Sequence, residues 1–258
     1  GVRKYPHWIE IKAADDGDRD IDLGGQFGPI AAIATRDARA MKPFLILQLR
    51  PETEASDNEF QAILEKGELA PNRAHRVCLD RQPLPEGLSL DNYAGVIVGG
   101  GPGCVSDPPD RKSAVDARIE NAVMSVMPQI TERDIPFMGC CYGIGILGKH
   151  LGGEVSKARF AEPVGTSTCR LTPDGAADPV LAGVPEVFDA FVGHKEAVQA
   201  LPRGCSHLLS SDPCPFQMIR YRRNVYATQF PPEADGPVFH VRIYIYKDHS
   251  YFPPRAAR

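Results

Sequence analysis

The sequence predicts an α/β fold, with a mostly parallel central sheet and helices on both faces. Two observations carry this expectation. Apolar runs of strand length alternate with segments whose apolar residues recur at helical spacing. Two of those runs also end abruptly in glycine-rich turns, which places a break where each strand would hand over to the next segment.

Taken in order, residues 44–49 (Phe-Leu-Ile-Leu-Gln-Leu) read as a buried strand. Residues 54–66 follow as a helix with Phe60, Ile63 and Leu64 on one face. The next strand is 93–98, stopping at Gly99-Gly100-Gly101-Pro102-Gly103. A helix over 113–131 carries Val115, Ile119, Ala122, Val123 and Val126 at the right spacing. Residues 135–138 then lead into Gly139-Cys140-Cys141-Tyr142-Gly143 and a helix to about His150. This β-α-β-α-β order is what implies the parallel sheet. The second half offers shorter strands at 166–171, 187–192, 207–211, 216–221 and 225–230, and an amphipathic helix at about 238–248. Residues 1–41 keep no period; they are acidic near 13–22 and broken by Gly24-Gly25-Gln26-Phe27-Gly28-Pro29. They are expected to be an N-terminal extension, flexible or not native, ahead of a domain over 42–258.

Composition narrows the function classes. Hydrophobic and charged contents of 43% and 24% suit a globular domain with a full core. A net charge of −4 gives no electrostatic footprint for nucleic acid or an anionic membrane. No apolar stretch approaches the roughly 18–20 residues of a membrane-spanning helix, and no signal-peptide pattern opens the chain, so the expected location is cytoplasmic. The seven cysteines are odd in number and irregular in spacing, which argues against a disulfide framework and against a zinc site. Neither a metal nor a cofactor is called for. Most of these thiols read as buried small hydrophobes.

Cys141 has a different context. Gly139-Cys140-Cys141-Tyr142-Gly143 has the form G-x-C-x-G between a strand and a helix. A nucleophile on such a turn takes strained backbone angles, and small residues two before and two after let the chain segments pass. The N-terminus of the following helix favours a thiolate. The plainer reading is a buried structural cysteine beside a tight turn, and the flanking strand and helix favour the nucleophile.

The run 136–145 (Pro-Phe-Met-Gly-Cys-Cys-Tyr-Gly-Ile-Gly), continued by Leu147 and Leu151-Gly152-Gly153, resembles the active-site signature of class I glutamine amidotransferases. The resemblance implies the flavodoxin-like fold of that family and extends from about Phe44 to the last helix. It implies that the N–H groups of Gly101 and Tyr142 form an oxyanion hole, with Gly103 near the substrate's α-substituents. Taken alone, the Gly99–Gly103 loop reads as a strand-end turn; a phosphate loop is disfavoured because no Gly-Lys-Ser/Thr follows. His194, in Phe191-Val192-Gly193-His194-Lys195-Glu196, resembles the family's Ser-His segment beside bound glutamine, with a substrate-side or loop-fixing role.

Gln229-Phe230-Pro231-Pro232-Glu233 resembles the family's Gln-Phe-His-Pro-Glu, in which the histidine takes the thiol proton and the glutamate orients its ring. Pro231 stands at the histidine's place. Proline has no titratable group and no N–H, so it can neither hold a thiolate nor protonate a departing amine. His194 and His240 are the histidines that could stand in. A second departure is Gly145, where family members often carry a substrate-contacting glutamine. The expected activity is Cys141-dependent hydrolysis of the side-chain amide of glutamine or a γ-glutamyl compound, impaired by Pro231, with any ammonia passing to a separate synthetase subunit. The alternatives are a catalytically silent binding or regulatory relative, or a γ-glutamyl peptidase-type hydrolase.

Overall fold

The computed structural model describes residues 42–246; the extension expected over 1–41 and residues 247–258 lie outside them. Strand β1 (Phe44–Gln48) opens the described chain and helix α1 (Thr53–Lys66) follows. Next come β2 (Ala74–Cys78), β3 (Val96–Val98), α2 (Ala114–Arg133), β4 (Phe137–Cys140) and α3 (Tyr142–His150). The second half contains β5 (Val155–Ser156), β6 (Glu162–Leu171), α4 (Pro173–Ala177), β7 (Val187–His194), β8 (Ala197–Val198), β9 (Cys205–Ser210), β10 (Met218–Tyr221), β11 (Val225–Thr228) and α5 (Gly236–Tyr246).

The central sheet has 9 strands in the order β2-β1-β3-β4-β11-β10-β9-β6-β7. From β2 to β11 every pairing is parallel. From β11 outward every pairing is antiparallel, so the shorter strands of the second half extend one edge. Along β1 the side chains alternate between two cores, as the two-residue period of a strand requires. Leu45 and Leu47 join Ile119, Val123 and Met127 of α2 and Ile144, Ile146 and Leu147 of α3. Phe44 and Ile46 join Ile63 of α1, on the face where α1 packs on α5. Helices therefore cover both faces, and the strands between them are apolar on both sides.

Two differences from the sequence reading have local causes. The strand expected from 93 begins only at Val96, because Leu90–Asn92 forms a 3₁₀ turn and the Ala94 N–H bonds the Pro43 carbonyl. Strand β2 was not foreseen; Ala-His-Arg-Val-Cys is an edge strand with mostly half-buried side chains and no apolar run.

Helix α2 starts where its sequence says it should. Ser113 accepts from the Asp116 N–H while the Asp116 carboxylate accepts from the Ser113 N–H, a reciprocal cap that satisfies two otherwise open donors.

Candidate functional site

The ends of the parallel strands build the site. In an open parallel sheet the carboxyl ends point into the crevice where ligands bind. Here β1 delivers Arg50, β3 delivers the loop from Gly99 to Gly103, β4 delivers Cys141, and β11 delivers Gln229 to Glu233. The pairing of Cys140 with Thr228 sets the last two side by side, and the Cys141 N–H bonds the Thr228 carbonyl at 2.8 Å.

Cys141 is the residue between β4 and α3, with φ 53° and ψ −93°. That left-handed φ disfavours any residue with a Cβ, and cysteine has no special dispensation for it. The turn is held by close backbone approach: a Cβ on Gly139 would lie 2.9 Å from both the carbonyl carbon and oxygen of Gly143. Gly143 itself is less constrained, since a Cβ there would meet nothing closer than 3.5 Å. Of the two small residues expected around the nucleophile, Gly139 is thus the one the geometry demands.

Burial pushes the Cys141 pKa up to about 11, against the opposing pull of the Arg50 charge, with Glu196 and Glu233 adding to the rise. The N-terminus of α3 acts in the opposite sense to this desolvation, since it favours the thiolate. Of the two histidines that could stand in, neither offers Cys141 an unengaged ring nitrogen in a cleft that they share. His194 is buried, with Nδ1 against the Glu196 carbonyl at 3.0 Å and Nε2 against the Glu162 carboxylate at 2.8 Å. His240 is exposed on α5 and lines neither cleft beside Cys141.

Two clefts meet at Cys141 and share Gly101 and Gly193. The first, of about 350 Å³, is lined by Tyr142, Gly103, His194, Glu196 and Gln229 among others. Five of the expected site residues, Gly101, Gly103, Cys141, Tyr142 and His194, are therefore brought together here. The Gln229 side-chain oxygen is buried without a hydrogen-bond partner. Gly145 also lines this cleft, and a Cβ there would sit 3.1 Å from both Glu196 Oε1 and Val105 Cγ2. The Glu196 carboxylate, which accepts from the N–H groups of Val105 and Ser106 at 2.8 and 2.9 Å, would have to give by a few tenths of an ångström to admit a Cβ at position 145.

The second cleft, of about 530 Å³, is lined by Arg50, Val164, Pro231, Phe239, Arg242, Ile243 and Tyr246 as well as the shared residues. Pro231 therefore shares a cleft with Cys141, while Glu233 is not among that cleft's walls and is 2% exposed. Glu233 Oε1 accepts from Arg242 Nη2 at 2.7 Å, and its Oε2 has no hydrogen-bond partner among the described residues.

Arg50, Glu59 and Arg242 were not foreseen from the sequence. Arg50 Nε donates to Glu59 Oε1 at 2.9 Å, Gln48 donates to Glu59 Oε2 at 3.0 Å, and the Gly100 N–H reaches Glu59 Oε1 at 3.1 Å. This anchors the glycine loop: a Cβ on Gly99 would overlap the Glu59 carboxylate, and one on Gly100 would meet Arg50 Nη2 at 2.7 Å and Cys141 Cβ at 3.6 Å. The available signal was an arginine directly ending an apolar strand, where solvation would be unusual.

Glu162, His194 and Cys214 bring possible metal-ligating atoms within 4.8 Å of one another. Glu162 already accepts from Gln217 at 2.6 Å and faces His194, and burial pushes the Cys214 thiol up to about 12. A group so used internally, with its thiol held protonated, is a poor cation site. Among the described residues no helix is long and apolar enough to cross a membrane.

Residues 68–244 match the glutamine amidotransferase class-I family. The chain is 34% identical over 144 residues to the GMP synthase (glutamine-hydrolyzing) of Lactococcus lactis, covering 55% of this chain and 25% of that protein. It is 31% identical over 180 residues to the GMP synthase of Streptococcus thermophilus, covering 69% of this chain and 30% of that one. The chain thus spans about a quarter of the length of the curated relatives it matches. Among solved structures, a glutamine amidotransferase from Thermotoga maritima superposes with a TM-score of 0.63 at 18% identity, covering 80% of this chain and 83% of its own. A glutamine amidotransferase from Methylobacillus flagellatus gives 0.63 at 22%, covering 81% and 77%. These structural likenesses concern the fold.

Proposed function

The chain belongs to the class I glutamine amidotransferase family, and from that premise we propose that Cys141 is a nucleophile for the side-chain amide of glutamine or a γ-glutamyl compound. The carrying observation is the strained φ of 53° at Cys141, at the meeting of two clefts on the carboxyl edge of the parallel strands. In this reading the sulfur bonds the amide carbon and the C–N bond breaks. The amine leaves with the thiol proton, and water then cleaves the thioester to give glutamate. The N–H groups of Gly101 and Tyr142 receive the developing oxyanion, with Gly103 near the α-substituents. The buried, unpartnered Gln229 oxygen is an acceptor for the substrate's amino group. His194, with both ring nitrogens engaged, fixes the loop that carries Glu196.

Turnover in this reading is slow. Pro231 supplies no base, and a thiol with a pKa of about 11 is almost wholly protonated at neutral pH. Any ammonia passes to a separate synthetase subunit, and the protein works in the cytoplasm. A second reading, a silent binding protein, is favoured by one observation: the Glu233 carboxylate is already paired with Arg242.

A glutamine-analogue diazoketone separates the two readings. Slow, stoichiometric labelling at Cys141 detected by mass spectrometry, absent in Cys141→Ala, is the expected result. Failure to label Cys141 over hours at pH 9, with the fold intact, would remove the nucleophile.

A further inference from the structure

We infer that Arg50 is the counter-ion of the Cys141 thiolate, a permanent cation held beside the sulfur where Pro231 supplies no base, and that Glu59 is the residue that positions it. This rests on the reading of Cys141 as a nucleophile and names the charge that serves it.

Arg50 and Cys141 line one cleft, and the glycine loop sets how close they come. A Cβ on Gly100 would lie 2.7 Å from Arg50 Nη2 and 3.6 Å from Cys141 Cβ. The guanidinium and the thiol-bearing carbon are therefore separated by no more than those two lengths laid end to end. Any side chain at position 100 would have to push the guanidinium aside. Glu59 fixes the orientation: it is fully buried, and its Oε1 accepts from Arg50 Nε at 2.9 Å and from the Gly100 N–H at 3.1 Å. One carboxylate oxygen thus ties the cation to the loop that carries Gly101. Because that contact uses Nε, Nη2 is the edge left next to Gly100. The Tyr246 ring, centred 5.5 Å from the guanidinium carbon, adds a second restraint.

The other charges around the sulfur do not take this part. Glu196, from the turn between β7 and β8, and Glu233, after β11, both oppose a thiolate. Arg242 of α5 favours it less than Arg50 does and donates Nη2 to Glu233 at 2.7 Å. Lys195 and His194, on the first cleft, act more weakly on the sulfur than any of these. Burial alone would lower the Arg50 pKa, but Glu59 and Tyr246 raise it well above the ordinary guanidinium value, so the charge persists at every pH at which the protein stays folded. Arg50 therefore holds a thiolate without titrating, and it hands no proton to a departing amine. Such a counter-ion supports the attack and leaves departure of the amine as the slow step.

The test is the rate at which iodoacetamide alkylates Cys141 in the whole chain at pH 8, read by tandem mass spectrometry. The reagent is uncharged, so an arginine does not steer it and its rate reports the thiolate. Deleting a unit charge about 6 Å from a buried thiol lowers the thiolate population about 100-fold, while the more basic thiolate is the better nucleophile by about tenfold. Arg50→Met/Glu59→Gln removes the pair together and orphans no buried charge, and is expected to react about tenfold more slowly than the natural chain. Arg50→Lys keeps the charge and is expected to stay within about threefold of the natural rate. A merely structural role predicts the opposite sign for the deletion, because a loosened turn exposes the thiol and speeds it toward an ordinary cysteine. Should the double exchange not fold, Arg50→Gln is the second deletion, with the same expectation. A deletion that reacts within about threefold of the natural rate, or faster, would overturn the assignment. So would an Arg50→Lys rate as slow as the deletion's. Diazoketone labelling of Cys141 without the slowing sinks the counter-ion alone. The slowing without labelling sinks the nucleophile reading and leaves the charge assignment standing.

Discussion

Replacing Pro231 with histidine is expected to raise glutamate release from glutamine by about 10⁴. With a pKa of about 11, only about one Cys141 in 10⁴ is thiolate at pH 7. An imidazole partner commonly brings such a thiol near or below neutrality, so the thiolate population grows by about 10⁴. A less basic thiolate is also a weaker nucleophile, and over about four units that loss is on the order of 10². The imidazolium then protonates the leaving amine, worth about 10² to 10⁴. The product of these factors is of the order of 10⁴ or above.

Pro231 lines the same cleft as Cys141, and Glu233, two positions on, has a buried Oε2 with no hydrogen-bond partner that can accept from a ring N–H. The Pro231 carbonyl, which accepts from the Ala234 N–H at 3.1 Å, is unaffected by the exchange. The assay couples glutamate to a dehydrogenase, with Cys141→Ala and Pro231→His/Cys141→Ala as blanks and a melting curve for each variant. A rise of less than tenfold in a folded Pro231→His protein would refute the account of the missing base. So would wild-type turnover already in the range of ordinary enzymes.

Gly139→Ala should lower stability by about 1–3 kcal/mol in urea titration, because the new Cβ would overlap the Gly143 backbone. Glu59→Gln should cost about 3–5 kcal/mol, since it leaves the Arg50 charge buried without its carboxylate; a loss below 1 kcal/mol would show that the pair is not desolvated. Burial alone would raise the Glu59 carboxyl, but Arg50, then Arg242 and hydrogen bonds from Gln48 and Arg50, hold it below the ordinary value. A depressed folded value stabilises above the unfolded carboxylate pKa of about 4.3 and is lost as pH falls through the folded value. Thermal midpoints should therefore hold steady down to about pH 5 and fall below about pH 4. Alkylation of Cys141 by iodoacetamide, read by peptide mass, should climb about tenfold per pH unit from pH 7 to 10; a plateau near pH 8 would mean the thiol is not raised.

The parallel half of the fold was legible because its strands are buried on both faces and so appear as unbroken apolar runs, as Phe44–Gln48 does. Edge strand β2 escaped because one-sided exposure dilutes the signal into Ala-His-Arg-Val-Cys. The elbow was legible because Gly139 and the strand-to-helix handover are local in sequence. The arginine pair was not: Arg50 and Arg242 stand 192 positions apart and read as solvated charges until β1 and α5 bring them to one cleft. Likewise no pattern announces that the Glu196 carboxylate stands close beside Gly145, because that contact joins residues 51 positions apart.

Two members of the family pattern survive here for different physical reasons. Glu233 has a structural duty independent of catalysis, since removing it would leave the Arg242 guanidinium buried and uncompensated. Its presence is therefore no argument for turnover. Cys141 has no such duty. Its side chain is half-buried, it carries no hydrogen bond or ion pair of its own among those found in the described residues, and its φ of 53° is unfavourable for it by about 1–3 kcal/mol. A glycine would occupy that turn without strain. Exchange of Cys141 for glycine is accordingly expected to leave the fold as stable as before, or to stabilise it, while abolishing diazoketone labelling. If Cys141→Gly instead lowers the unfolding free energy by more than about 2 kcal/mol, the thiol is a packing element, and the strain is an argument for the silent reading and not for the nucleophile.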